Sequence, residues 1–121
     1  MSLDDLAGHL SRTQDDRLRW RLFAEFLEEH RHEELAVRLQ LLQDEPRLIG
    51  DERWDVLLAA LADHLSGKDT DRAPRWCNTR RLEVFWFPWD TAAARVDALV
   101  HAPAAFRSRG IFLAPQELSV A

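Results

Sequence analysis

A chain of 121 residues with 46% apolar residues and a formal charge of −5 has the length and composition of one domain with its own core. Its single cysteine, Cys77, excludes an internal disulfide; the acidic start at Asp4-Asp5 lacks the positive charge and apolar run expected of a signal peptide, and no run approaches the ~20 apolar residues of a membrane span. A cytoplasmic protein is expected, and a strongly basic nucleic-acid binder is disfavoured.

The elements read as helices in chain order. Ser2 is placed to cap a short helix over about residues 3–11, with Asp4 and Asp5 in its favourable first turn. Thr13, followed by Asp15 and Asp16, opens a second helix to about Arg31, in which Leu18, Leu22, Phe23, Phe26 and Leu27 recur at the spacing of a buried stripe. Trp20 falls on a margin of that stripe. Arg19 and His30 fall near its middle, so each must find a partner or reach water. A third helix over about 33–43 carries Leu35, Leu39 and Leu42 on one side and Val37 with Leu41 on another, which predicts a central position in the bundle, with cover by a partner as the alternative. Pro46 ends it.

A fourth helix is expected over about 51–66, with Trp54, Leu57, Leu58, Leu61 and Leu65 on one face and Gly67 as its stop signal. The stretch 67–74 has linker composition. Beyond it, Arg75-Trp76-Cys77 and Leu82–Phe85 read as short helical pieces, and Phe85-Trp86-Phe87-Pro88-Trp89 is an aromatic run broken by proline. Asp90 or Thr91 caps a fifth helix to about His101, expected to bury Ala93, Val96, Leu99 and Val100. Pro103 restarts a turn holding Phe106, and Ile111-Phe112-Leu113 reads as a short strand without an obvious partner. The fold class is therefore all-α: a compact single-domain bundle, residues 1–121, of about five main helices with an irregular, aromatic-rich C-terminal half.

No motif for catalysis emerges. His30 and His32 stand two residues apart and face different sides of a helix, and a metal site would need His64, His101, His9 or Cys77 to converge from distant segments. A metal-dependent enzyme on His30, His32 and His64 is the third reading in rank; no metal and no cofactor are expected. Cys77 reads as a packing residue, and serines 2, 11, 66, 108 and 119 sit at termini, caps or loops, outside any nucleophile elbow. Acid pairs such as Asp15-Asp16 and Glu28-Glu29 read as solvated faces.

Charge is unevenly divided. Residues 1–66 hold 15 acids against 8 arginines, whereas residues 67–121 hold 6 acids against 8 basic residues. The acidic front suits either a basic partner or plain solvation. In the back half Arg72, Arg75, Arg80, Arg81, Arg95, Arg107 and Arg109 interleave with Trp76, Trp86 and Trp89, a pattern that can grip phosphates and stack on bases. Use of those aromatics as core is favoured, with arginines stacked on them internally.

The stretches Trp54-Asp55-Val56-Leu57-Leu58-Ala59-Ala60-Leu61-Ala62-Asp63-His64-Leu65, Phe85-Trp86-Phe87-Pro88 and Ala98-Leu99-Val100-His101-Ala102-Pro103-Ala104-Ala105-Phe106-Arg107-Ser108-Arg109-Gly110-Ile111-Phe112-Leu113 together resemble a group of small bacterial helical proteins, common in actinobacteria, that are taken for antitoxins of nucleotidyltransferase-like toxins. The resemblance covers about 51–118, weakens over the Arg19–Glu33 helix, and departs at Asn78-Thr79-Arg80, where a more acidic stretch is expected. It implies a protein-binding role without catalysis, the partner being a nucleotidyltransferase-like toxin. Trp20, Trp86, Trp89, Arg107 and Arg109 are the expected anchors, and Glu28, Glu29, Glu33 and Glu34 the expected steering charges. A nucleic-acid-binding regulator using the arginines and tryptophans of residues 72–109 is the alternative. A membrane partner is not expected, and a homodimer remains open.

Overall fold

Among its described residues the computed structural model has six α-helices and two 3₁₀ turns: α1 (Leu3–Leu10), α2 (Asp16–Arg31), α3 (Leu35–Gln43), α4 (Glu52–Asp69), a 3₁₀ turn at Arg75–Thr79, α5 (Ala92–His101), α6 (Ala104–Arg107) and a 3₁₀ turn at Pro115–Leu118. The structure describes residues 1–70 and 72–118; Asp71 within the 67–74 segment and the terminal Ser119, Val120 and Ala121 lie outside the described residues. The fold is all-α, as the hydrophobic periodicity predicts. No helix among the described residues is long and apolar enough to cross a membrane.

The N-terminal helices follow their local signals. Ser2 and Asp5 form a capping box, the Ser2 hydroxyl accepting from the Asp5 backbone N–H while the Asp5 carboxylate accepts from the Ser2 N–H. At α2 the cap is Asp15, whose carboxylate accepts from the Arg17 N–H, and Thr13 sits two residues outside the helix. Leu3, Leu6, Ala7 and Leu10 of α1 then meet Phe23, Phe26 and Leu27 of α2 in one core. Leu18, at the start of the predicted stripe, is exposed.

The central helix is α4, not α3. Every residue from Trp54 to Ala62 is buried, including Asp55, and α3, the 75–79 turn and α6 all pack on it. Small Ala59, Ala60 and Ala62 let those neighbours come close. On α3 only Leu42 is fully inside, and Leu35 is half exposed, so its second apolar row covers the edge of the bundle. Gly67 does not stop α4, which runs on to Asp69 and is capped at Thr70. Arg38 of α3 forks onto the two Asp69 carboxylate oxygens, both at 3.0 Å, and holds that last turn in place.

The C-terminal half wraps the other side of α4. Leu82–Phe85 forms bends, not a helix. The Ile111 triplet makes no strand: its one pairing is an isolated parallel bridge to Trp86, in which Trp86 N–H donates to Gly110 O and Phe112 N–H to Trp86 O, each at 2.9 Å. Gly110 has φ +85°, and a Cβ there would stand 3.2 Å from both Leu82 Cβ and Leu82 O, so glycine is required on two counts.

Thr91 caps α5 through its hydroxyl on the Ala94 N–H. The face α5 buries is not the one expected. Ala98 and Ala102 pack against Phe112, with Phe87 stacked beside it, while Val96, Leu99 and Val100 are 62%, 53% and 61% exposed and Ala93 faces solvent too. Alanine lies inward because only a small side chain lets the helix backbone settle onto the two phenylalanine rings.

Candidate functional site

The expected anchors divide between core and surface. Trp20 of α2 gathers a cluster of indoles, its ring centroid 4.7 Å from Trp54, 4.6 Å from Trp89 and 6.1 Å from Trp86. Trp86 is buried, with Arg53 over its ring at 5.1 Å, whereas Trp20 and Trp89 are half-buried at the margin. Arg109 is also inside. Its guanidinium donates to Asp63 at 2.7 Å and Ala105 O at 2.8 Å through Nη1, and to Cys77 O through Nε and Nη2. It therefore staples the chain after α6 to α4 and to the 75–79 turn. Arg107 alone of the two arginines reaches solvent, with Nη2 donating to Val100 O at 3.2 Å.

The expected steering acids lie on one corner, the end of α2 and the turn into α3, and they are partly spent. Glu28 holds Arg31 and His32, whose hydrogen bonds keep its carboxyl below the usual carboxylate range. Glu29 accepts from the amino group of Met1 at 2.7 Å. Glu33 contributes its carbonyl to Arg38 at 2.8 Å, and Glu34 begins α3 without a side-chain cap.

The arginine–tryptophan set of 72–109 does not form one surface. Arg80, like Arg109, is buried; it donates to Asp55 O at 3.0 Å, to Pro46 O at 2.8 Å and to Glu45, and lies over Trp76 at 5.1 Å. Trp76 in turn donates its indole N–H to Leu42 O. Arg95 is paired with Asp90 and stacks on Phe87. Arg72, Arg75 and Arg81 remain exposed. Two of the seven arginines thus serve as internal staples for backbone carbonyls.

The histidines part company as well. Of the two groups in the middle of the α2 stripe, Arg19 finds Thr13 O at 3.0 Å and Asp51 at 2.9 Å. His30 does not: it is 3% exposed, stacks on Phe26, and among the described residues neither ring nitrogen has a hydrogen-bond partner. Burial first, and then the Arg38 charge, hold its pKa below the ordinary histidine value. His64 of α4 lines the same cleft as His30, while His32 is exposed and tied to Glu28. Among the described residues no group of three or more His, Cys, Asp or Glu is placed to hold a metal ion. The Cys77 thiol is pushed up to about 12 by burial, which makes it a packing group and a poor nucleophile at neutral pH.

What periodicity alone missed is an exposed apolar face. At 100° per residue Val96 and Val100 stand opposite Ala98, with Leu99 beside them, and so face away from Phe112; Phe85, which is 65% exposed, packs edge-on to Phe112. Between Phe85 and α4 runs a broad groove of about 740 Å³ whose walls include Val84, Trp86, Phe87, Arg53, Asp16 and Arg95. The available signal was the Ala94, Ala98, Ala102 row at four-residue spacing, which marks a face built for close approach.

The chain matches no family model, and no curated protein or solved structure shows a significant match to it.

Proposed function

We propose that this chain is a non-catalytic protein-binding module, an antitoxin-like partner that binds and restrains a nucleotidyltransferase-type toxin. The observation that carries the reading is the bare apolar face of α5; Phe85, also exposed, adds an aromatic ring. A small domain has every reason to turn Val96, Leu99 and Val100 inward, and here it turns alanines inward instead. Exposed apolar surface of this kind marks interaction sites. Fully burying each such side chain is worth about 1.5–3 kcal/mol, enough for four of them to offset a substantial part of the cost of association. Arg107 and the Asp90–Arg95 pair border the face and supply a polar rim. The resemblance to toxin-neutralising proteins supplies the class of partner, and the acidic corner at Glu28–Glu34 is suited to steering a basic, nucleotide-handling surface toward it. In this reading Trp86 and Arg109 act from inside, by fixing the segments that present Phe85 and Arg107.

The test pairs capture with substitution. Tagged protein expressed in the native organism should retain a nucleotidyltransferase-like protein in stoichiometric amount, and V96D with V100D should release it while leaving the helical circular dichroism and melting temperature unchanged. Retention by the double variant, or capture of no such enzyme, rules the reading out. The alternative, nucleic-acid regulation, draws on exposed Arg72, Arg75 and Arg81; it predicts retardation of nucleic acid at low salt that fades steeply as salt rises.

A further inference from the structure

The cleft shared by His30 and His64 is separate from the α5 face and has a composition of its own. It measures about 340 Å³ and lies between α2 and α4, closed at one end by the 115–118 turn. Its walls are apolar: Leu27 from α2, Leu65 from α4, and Pro115 and Leu118 from the turn. Its polar groups are all nitrogen, namely the two imidazoles with Arg31 and Lys68 at the rim. Arg31 is already engaged by Glu28, but Lys68 makes no ion pair with a described residue. His64 is half-buried, touching Phe106 edge-on at 5.6 Å, and none of its ring nitrogens is hydrogen-bonded to a described residue. Below it lies His30, buried with both nitrogens unsatisfied, a state that native interiors rarely tolerate.

We propose that this cleft binds a small amphipathic carboxylate, its acid group held by Lys68 and His64 over His30 and its apolar body laid against Leu27, Leu65, Pro115 and Leu118. The sign follows from the lining. Among the described residues no carboxylate lines the cleft, although Asp69 and Glu33 lie near His30 and Asp63 near His64; a cation there meets two other cations and two imidazoles, whereas an anion accepts from the N–H donors present. The apolar walls ask for a body as well as a head, which inorganic anions lack. At about 340 Å³ the cleft has room for such a body. That size lies at the small end of ligand sites, which are commonly apolar pockets with a few convergent polar groups. A carboxylate oxygen reaching His30 would give its ring a partner that no described residue supplies.

Hexanoate is the probe, read through the imidazole Cε1–Hε1 resonances of the full-length protein. His30 and His64 should shift in a saturable way in the millimolar range, with His9 and His101, which lie on α1 and α5, as internal references that do not move. Hexanol, the neutral isostere, should bind more weakly. K68Q, an exposed change that leaves the fold intact, should weaken hexanoate by about fivefold or more and leave hexanol unaffected. Equal shifts at all four histidines, absence of saturation, or hexanol and hexanoate binding alike to the natural protein each overturn the proposal, whatever the behaviour of the variant.

Discussion

Three arginines, Arg19, Arg80 and Arg109, carry charge into the interior, and each ends on a carboxylate and at least one backbone carbonyl. The guanidinium fork suits this work because it offers donors in several directions from one buried plane. Sequence spacing showed that Arg19 would need a partner but not that Arg80 and Arg109 would, since their acceptors, Asp55 O, Pro46 O and Cys77 O, are far away in the chain. A cluster of arginines among tryptophans reads the same whether it points inward or outward; only the tertiary arrangement separates the two. Gly110 is the residue on which this half turns. With its positive φ and the 3.2 Å approach of Leu82 to any Cβ, G110A should cost about 2 kcal/mol or more, combining left-handed strain with overlap. Urea denaturation measures it, and a loss under about 0.5 kcal/mol, the range of ordinary surface changes, contradicts the account.

The five main helices were legible as helices, their starts more than their faces or ends, whereas Leu82–Phe85 was read as helical and forms bends, and α6 was read as a turn. Ser2 and Thr91 act as the caps their positions suggest, and Asp15 takes the role that Thr13 only precedes. The errors about faces share one cause: a helix with apolar residues on two sides does not declare which side is covered. On α3 this led to a central position that α4 in fact holds, and on α5 to burial of the larger side chains where alanines lie inward. Gly67 misled for a different reason. Glycine ends a helix when it turns to positive φ, but here it stays helical because Arg38 grips Asp69 two residues beyond. A methyl group added at this exposed glycine would meet nothing within 4 Å. G67A should therefore stabilise the protein by about 0.5–1 kcal/mol, the propensity difference between the two residues, read as a raised melting temperature. A lowered one would mean that α4 needs the glycine there.

At the scale of the whole molecule, acid should act in two stages. His30 and His64 both have pKa values held below the ordinary 6.5, chiefly by burial, with Arg38 adding to the effect on His30 and Lys68 on His64, while Asp69 and Glu33 oppose it at His30 and Asp63 at His64. Between those depressed values and 6.5 the unfolded chain binds more protons than the native one, so stability falls as pH drops through 6.5 and this loss ends below the native values. The carboxylates behave in the usual way. Asp4 is held at about 2 and Asp5, Glu28 and Asp69 are lowered by their hydrogen bonds, so what they contribute is present above the ordinary carboxylate range and lost below it. Denaturation midpoints at pH 8, 6.5 and 5 should decline, and H30L should flatten the decline, because an apolar side chain on Phe26 has no proton to take up. A midpoint that holds level from pH 8 to 5 contradicts it. The way α4 is enclosed also sets an order of events during synthesis. Its far side is covered by Phe106, Ile111 and Leu113 and pinned by Arg109, so the middle of the chain cannot be sheathed until residues some fifty positions later have emerged from the ribosome. Through that interval the most deeply buried helix of the fold is open to chaperones, proteases and other nascent chains, and a break in translation after His101 would leave it so for good.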